Sequence, residues 1–286
     1  MELTIDHVTM QFKNKLALND VSCTLTSGQL VGLIGPNGAG KSTLMKILAT
    51  LQHPTSGSVR LDGVDIRKHP RAMKRVLGYM PQQVPIIPQL SAVEYLRYIA
   101  AIKGLPRVQA NDQIKSLLVR MHLADAAGRR LGDFSGGMQQ RVGLAAALLG
   151  DPQVMIVDEP SAGLDPIERI MMRNLLSELA ESRIVLLSTH IVSDIEAVAS
   201  RLLLLKAGQL LFQGSAPQLI KAATGHVWEY VLPQGEHPQA SQAVSEMRQA
   251  ADGIHIRLVA PSAPTKTAVT VTPSLEDATL SALEGR

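Results

Sequence analysis

Residues 35–43 read Gly-Pro-Asn-Gly-Ala-Gly-Lys-Ser-Thr and directly follow the apolar run Leu-Val-Gly-Leu-Ile at 30–34. In this pattern the glycines let backbone N–H groups close around phosphates, while the lysine adds a positive charge and the serine hydroxyl can bind Mg²⁺. Residues 42–51 are predicted to form a helix whose positive N-terminal end faces the same phosphates. The stretch therefore predicts a strand, a loop and a helix that bind a nucleoside triphosphate.

Length, charge and apolar content limit the classes of protein. The 286 residues suffice for one large α/β domain and a small appendage, and a net charge of +3 is too small to indicate nucleic acid as a partner. The longest apolar runs, 142–149 and 184–187, are far shorter than the roughly 20 residues that span a bilayer. We expect no secretion signal at residues 1–6 and, with Cys23 as the single cysteine, a reducing cytosolic setting.

Apolar, β-rich runs alternate with helical periodicity up to about residue 214, which predicts an α/β fold with a mostly parallel sheet. The run 154–157 ends in Asp158 and Glu159, and the run 184–187 is soon followed by His190. Ligands of open α/β sheets bind beyond the carboxyl ends of the strands, so these side chains and the phosphate-binding loop are expected at one edge. Asp158 is suited to hold Mg²⁺, and Glu159 is suited to orient or deprotonate an attacking water.

Two further regions differ from this alternation. Helical spacing replaces strands between about residues 84 and 150, which predicts a helical insert. From residue 224 onward the composition shifts to Ala, Ser, Thr, Pro and Gln, with strand-like pieces at 226–232, 254–259 and 268–272, a loop at 261–267 and a last helix opened by a capping box at Ser274. We therefore expect a main domain over 1–223 and a small α+β accessory domain over 224–286.

A second helix start carries glycines. Ser135, Gly136 and Gly137 precede the apolar run 142–149, so Ser135 can cap a helix whose first N–H groups are exposed. Such a helix start binds anions, but it has no lysine of its own and would need partners to form a site. Taken alone, the pattern favours a structural cap with a glycine turn.

Together these elements resemble the ATP-binding subunit of ABC transporters over about residues 3–219. The segment at 134–138 corresponds to the family signature but has Phe134 in place of the usual leucine and Met138 in place of glutamine. Neither change touches the serine or the glycines of the signature. The matching segments are the Walker A motif at 35–43, Gln82 of the Q-loop, the signature at 134–138, the Walker B strand at 154–158, the catalytic Glu159, the D-loop at 161–165 and the switch His190.

The resemblance implies a P-loop NTPase core with an antiparallel β subdomain, and ATP and Mg²⁺ as cofactors. Phe12 stands where the family places an aromatic ring against adenine. The expected nucleotide contacts are Phe12, Gly35, Asn37, Gly38, Ala39, Gly40, Lys41, Ser42, Thr43, Ser135, Gly136, Gly137 and Asp165. Mg²⁺ would be held by Ser42, Gln82 and Asp158, and hydrolysis would use Glu159, His190 and Gln82.

The resemblance also implies partners. In the ATP-bound state two subunits would form a head-to-tail homodimer, in which Ser135 and Gly137 of one subunit meet the ATP held by Lys41 of the other. A separately encoded, multi-span membrane permease would hold this dimer at the cytoplasmic face of the membrane. The Gly-Leu-Asp-Pro stretch at 163–166 and the small C-terminal appendage are similar to bacterial exporter ATPases. A soluble ABC ATPase that acts on a non-transport partner stays open as the alternative.

Overall fold

The computed structural model describes residues 1–161, 163–238 and 242–285. The strands in these residues are β1 (Glu2–Phe12), β2 (Lys15–Thr26), β3 (Gln29–Ile34), β4 (Ser56–Leu61), β5 (Val64–Asp65), β6 (Leu77–Met80), β7 (Val154–Asp158), β8 (Ile184–Ser188), β9 (Arg201–Lys206), β10 (Gln209–Gly214), β11 (Val227–Leu232), β12 (Ala243–Ala250), β13 (Gly253–Val259) and β14 (Val269–Thr270). The α-helices are α1 (Lys41–Leu48), α2 (Pro70–Val76), α3 (Ala92–Ile102), α4 (Arg107–Arg120), α5 (Gly136–Leu148), α6 (Pro166–Ala180), α7 (Val192–Glu196), α8 (Ala216–Ala222) and α9 (Leu275–Glu284).

The central sheet has the strand order β10-β9-β3-β8-β7-β6, in which β6, β7, β8, β3 and β9 run parallel and the edge strand β10 pairs antiparallel with β9. Every residue of β7 and β8 is buried. Along β7, Val154 and Ile156 face one core whereas Met155 and Val157 face another, because the sheet is covered on both sides. The predicted mostly parallel α/β sheet is confirmed.

A second sheet, of order β2-β1-β4-β5, is antiparallel. Leu3 and Ile5 of β1 are fully buried, or nearly so, and belong to the same core as Leu44 and Met45 of α1. This sheet is the expected antiparallel β subdomain, and it covers the side of the central sheet on which α1 lies.

Helix α1 begins one residue before the predicted start and ends three residues before the predicted end. The helix stops because Thr50 adopts a left-handed backbone with φ 58°, and its N–H donates to the Ile47 carbonyl at 3.0 Å. The helical insert contains α3, α4 and α5, together with the short 3₁₀ helices Ala124–Ala126 and Leu131–Asp133. Its first long helix, α3, opens with a capping box between Ser91 and Glu94.

The C-terminal strands form a third sheet of order β12-β13-β11-β14, and α9 packs between this sheet and helices α7 and α8. The capping box at Ser274 is confirmed, since its hydroxyl accepts from the Asp277 N–H at 3.1 Å. Strand β12 was not predicted. None of its eight residues is buried, as is usual for an edge strand, so no apolar alternation marks it. The predicted strand 268–272 is shorter than expected, at Val269–Thr270.

Asp277 joins α9 to the strands of this third sheet. Its side chain is 1 % exposed and accepts from Arg257 Nε at 2.9 Å, Arg257 Nη2 at 2.7 Å and Ser245 Oγ at 2.5 Å. Arg257 also pairs with Glu229 at 2.6 Å. Burial acts to raise the pKa of Asp277, but the hydrogen bonds from Arg257, Ser245 and Ser274 outweigh it and hold the pKa below its usual 3.8.

Replacement of Asp277 with Asn should lower the free energy of unfolding of this unit by about 3 kcal/mol at pH 7, because Arg257 loses its buried carboxylate. The stabilisation by Asp277 is complete above pH 3.8, the ordinary value, and is lost as the pH falls through the lower folded pKa. The difference in the free energy of unfolding between wild type and variant should therefore become smaller in acid. Urea unfolding can be followed by the fluorescence of Trp228, the single tryptophan, which lies in β11.

The matched control for this substitution is Asp252→Asn. Asp252 pairs with His255 in the same sheet at 2.9 Å, but its side chain is 66 % exposed, so little change is expected. Equal free energies of unfolding for wild type and Asp277→Asn at neutral pH would contradict the stabilising role of the Asp277 carboxylate. A free-energy difference that does not become smaller in acid would contradict it too.

Candidate functional site

The phosphate-binding loop connects the carboxyl end of β3 to the first residue of α1. Gly38 and Gly40 have φ 80° and 109°, a left-handed backbone that favours glycine. A Cβ at Gly40 would stand 2.6 Å from the Ala17 carbonyl oxygen, so a side chain there would displace the loop from β2. The loop can therefore keep its backbone N–H groups close to a ligand only with glycine at this position.

Lys41 lies inside this loop and is 8 % exposed. Its Nζ donates to the Gly35 carbonyl at 2.6 Å and to the Pro36 carbonyl at 3.3 Å. Burial lowers the pKa of Lys41, and the charges of Glu159 and Asp158 oppose that shift without cancelling it. A cationic amine thus faces two carboxylates from within the loop, where it would contact a bound phosphate.

Asp158 is the last residue of β7 and is 4 % exposed. Its Oδ1 accepts from the hydroxyl of Ser188, which is its register partner at the end of β8. Burial raises the pKa of the neighbouring Tyr79, and the Asp158 charge raises it further. The predicted site residues did not include Ser188. Its position directly after the apolar run 184–187 is the signal in the sequence that could have identified it.

Glu159 follows with φ 52°, a left-handed backbone that costs about 1 kcal/mol in a residue other than glycine. Its N–H donates to the Ser188 carbonyl at 3.1 Å, which holds this turn in place. The carboxylate Oε2 lies 2.7 Å from Nδ1 of His190, and the Glu159 side chain is 8 % exposed against 61 % for His190. A buried carboxylate is therefore held by an exposed imidazole.

A cleft of about 250 Å³ brings several of these residues together. Residues 36–43 of the loop line it with Phe12, Lys15, Gln82 and Glu159. Phe12 is 41 % exposed at the end of β1, so its ring is free to meet a ligand. Lys15 was not predicted, since a single lysine in a turn has no pattern that distinguishes it.

The signature residues are not among those that line this cleft in the described part of the chain. Ser135 caps α5, accepting from the Met138 N–H at 3.2 Å, and both Ser135 and Gly136 are exposed. Asp165 caps α6, accepting from the Glu168 N–H at 2.8 Å. Within the predicted D-loop, Ala162 lies outside the described residues. Ser135, Gly136 and Asp165 are thus exposed outside the cleft, whereas Gly137 is buried.

The glycine-rich loop opens a helix and contains a buried lysine, and an Asp-Glu pair follows β7, two strands from β3 in the sheet. This combination defines a P-loop nucleoside triphosphatase. Comparison with known proteins identifies the family: the family model for ABC transporters matches residues 18–162. The chain belongs to the ABC transporter family, and it is the ATP-binding, ATP-hydrolysing subunit of such a transporter.

Relatives and solved structures agree with this assignment. The chain is 35% identical over 217 residues to the uncharacterized ABC transporter ATP-binding protein YxlF of Bacillus subtilis, covering 76% of this chain and 72% of YxlF. It is 35% identical over 220 residues to the Nod factor export ATP-binding protein I of Burkholderia lata, covering 77% and 72%. Against the probable multidrug ABC transporter ATP-binding protein YbhF of Escherichia coli it is 36% identical over 242 residues, but it spans only 42% of that protein.

A dimeric structure of the ATP-binding cassette MJ0796, in a post-hydrolysis state bound to ADP and Pi, matches with a TM-score of 0.69 and 26% identity over 74% of this chain and 98% of that one. No helix among the described residues has the length and apolar content needed to cross a membrane.

Proposed function

We propose that this subunit binds Mg-ATP and couples its hydrolysis to export through a separate membrane-spanning permease. The observation that carries the proposal is the hydrogen bond of 2.7 Å between Glu159 and His190, because the Glu159 carboxylate belongs to the cleft that the phosphate-binding loop lines. A carboxylate next to the phosphate site, held in one orientation, is the arrangement that water activation requires.

The loop would bind the phosphates of ATP. Lys41 supplies the charge, and the backbone N–H groups of the glycines and of Ser42 and Thr43 at the start of α1 supply hydrogen bonds. Phe12, exposed at the mouth of the cleft, would stack on the adenine ring. Backbone atoms would make the other predicted contacts with ATP, which are those of Gly35, Asn37, Gly38, Ala39 and Gly40.

Mg²⁺ would be held at the cleft, which Ser42 and Gln82 line and beside which Asp158 directly precedes the lining residue Glu159. Asp158, Ser42 and Gln82 offer a carboxylate, a hydroxyl and an amide oxygen, which are the hard oxygen ligands that Mg²⁺ prefers. The described residues contain no cluster of three or more His, Cys, Asp or Glu side chains that could hold a metal. A site with few protein ligands suits Mg²⁺, which is commonly bound through one or two carboxylates and the substrate phosphates. When bound, the ion would neutralise phosphate charge.

Glu159 would orient and deprotonate the attacking water, and His190 would hold the Glu159 carboxylate and contact the γ-phosphate. Glu159 directly follows β7 with a left-handed backbone, and its N–H stays bonded to Ser188. The exposed imidazole of His190 can respond to a ligand, whereas the carboxylate it holds is buried.

A second copy would complete the site. The N-terminal end of α5 is exposed at Ser135 and Gly136, so its N–H groups can meet the phosphates of a nucleotide bound to another subunit. The structure of MJ0796 is dimeric, which supports a dimer for this chain. The proposed assembly is therefore a head-to-tail homodimer with two nucleotides at its interface.

An apolar groove next to Gln82 suits the permease. Residues of β6, α3 and α5 line it together with Pro81, Val84 and Pro85, and Lys74 and Lys103 also border it; its volume is about 250 Å³. Gln140 of α5 donates to the Gln82 carbonyl at 3.3 Å, so the groove, the Q-loop and the signature helix are joined. A segment of the permease in this groove would hold the subunit at the cytoplasmic face of the membrane, and residues 224–286 would form an accessory domain. The names of YbhF and of the Nod factor export protein favour export.

The test is co-purification from the native host. Tagged Glu159→Gln subunit, extracted from membranes in Mg-ATP, should recover a multi-span protein in stoichiometric amount by mass spectrometry. The same bait with Ile99→Glu places a charge in the apolar groove and should recover less of that protein while still binding ATP. Recovery of ribosomal or DNA-associated proteins without any membrane protein would contradict the transporter assignment.

A further inference from the structure

Arg141 and Glu168 connect three helices behind the signature. Arg141 Nη2, on α5, donates to Glu168 Oε1 on α6 at 3.0 Å. The same guanidinium donates through Nη1 to the carbonyls of Met121 and His122, just beyond α4, at 3.0 and 3.3 Å. The two charged side chains are 18% and 20% exposed, so the pair is largely shielded from water. An ion pair of this kind is stronger than an exposed one.

The second carboxylate oxygen of Glu168 lies against the signature backbone. A Cβ built at Gly137 would stand 2.1 Å from Glu168 Oε2 and 2.7 Å from its Cδ. A side chain at position 137 would therefore displace the Glu168 carboxylate from its place beside Arg141. This contact gives Gly137 a steric reason to be glycine that is independent of any nucleotide.

Glu168 lies in the first turn of α6, directly after the D-loop. Its N–H donates to the Asp165 carboxylate at 2.8 Å, and Arg169 Nε donates to the Leu164 carbonyl at 3.1 Å. Glu168 thus binds the D-loop through its main chain and the signature through its side chain. Both of these segments face the second subunit in the proposed dimer.

We propose that Glu168, held by Arg141, is a positioning residue that fixes the signature glycine relative to the D-loop. The two segments then approach the partner's nucleotide as one unit, and Arg141 ties the end of α4 to the same unit. This inference rests on the proposed dimeric function. Glu168 does not belong to the cleft that binds the subunit's own ATP, so it acts on turnover and not on nucleotide binding.

The test compares Glu168→Gln with Glu178→Gln. Glu178 also lies on α6 and pairs with Arg120 of α4 at 2.6 Å, but this pair is 64% and 36% exposed and lies further from the signature. Glu168→Gln should lower kcat for ATP about tenfold, with KM and the calorimetric affinity of the subunit for ATP unchanged. Glu178→Gln should leave all three values unchanged. Equal kcat in the two variants would overturn the inference.

A double variant tests the contact itself. If Gly137 and Glu168 act together, Gly137→Ala displaces the carboxylate, and Gly137→Ala combined with Glu168→Ala should lose no more activity than the more damaged single variant. If the fold-losses of activity in the two single variants multiply in the double variant, the two residues act independently and the inference is overturned. Thermal unfolding of each variant excludes loss of fold as the cause.

Glu159→Gln, measured in parallel, separates this inference from the proposed function. Loss of turnover in Glu159→Gln with normal kcat in Glu168→Gln would overturn the positioning role alone. Unchanged turnover in Glu159→Gln would overturn the proposed mechanism, and with it the basis of the inference.

Discussion

Replacement of Glu159 with Gln should lower the rate of ATP hydrolysis by at least about 100-fold while ATP still binds. Gln has nearly the same size and can still meet His190, but it cannot accept a proton from water. The phosphate-binding loop should be unchanged in this variant, because the Gly35 and Pro36 carbonyls hold the Lys41 amine. Phosphate release measures turnover, and calorimetry measures binding.

The control for this substitution is Glu178→Gln, which removes a carboxylate from an exposed ion pair elsewhere on the surface. It should hydrolyse ATP at the wild-type rate. If Glu159→Gln also turns over at the wild-type rate, then Glu159 has no part in the mechanism and another group activates the water.

Replacement of Lys41 with Ala should raise the Kd for ATP about 100-fold, a loss of about 2.7 kcal/mol. The amine is the positive charge enclosed by the loop, and burial strengthens its interaction with phosphate oxygens. Because the pKa of Lys41 is lowered, the amine loses its charge at a lower pH than an ordinary lysine does. ATP affinity of the wild type should therefore fall as the pH rises through that pKa.

Lys15→Ala is the matched control, since Lys15 lines the same cleft but is exposed to solvent. Its charge is screened, so its removal should change the Kd no more than about threefold. Equal affinities of Lys41→Ala and wild type in calorimetry would contradict the assignment of the loop as the phosphate site.

Elements with strong local patterns were predictable from the sequence. Strands β7 and β8 follow from their continuous apolar runs, and the start of α9 follows from the capping box at Ser274. Strand β12 was missed because an edge strand buries few side chains and needs no apolar pattern. The early end of α1 was also missed, since it depends on the left-handed backbone at Thr50 rather than on a glycine or proline.

Some residues of the candidate site were also predictable from the sequence, whereas some of its contacts were not. Lys41, Glu159 and His190 were predictable, because each belongs to a contiguous motif or follows directly after a buried strand. Their roles remain predictions. Contacts between residues far apart in the chain could not be derived, such as Ser188 with Asp158 and Glu168 with Gly137. These contacts depend on strand register and on how α6 lies against α5, which no local pattern encodes.

The most direct test of a composite ATP site is the molecular mass of the Glu159→Gln subunit in solution, by sedimentation with Mg-ATP or with Mg-ADP. A composite site requires twice the subunit mass in ATP and the single mass in ADP. With Ser135→Ala added, ATP should still bind to each subunit but the dimer should weaken. A single mass in saturating ATP, with calorimetry showing that ATP is bound, would contradict the account.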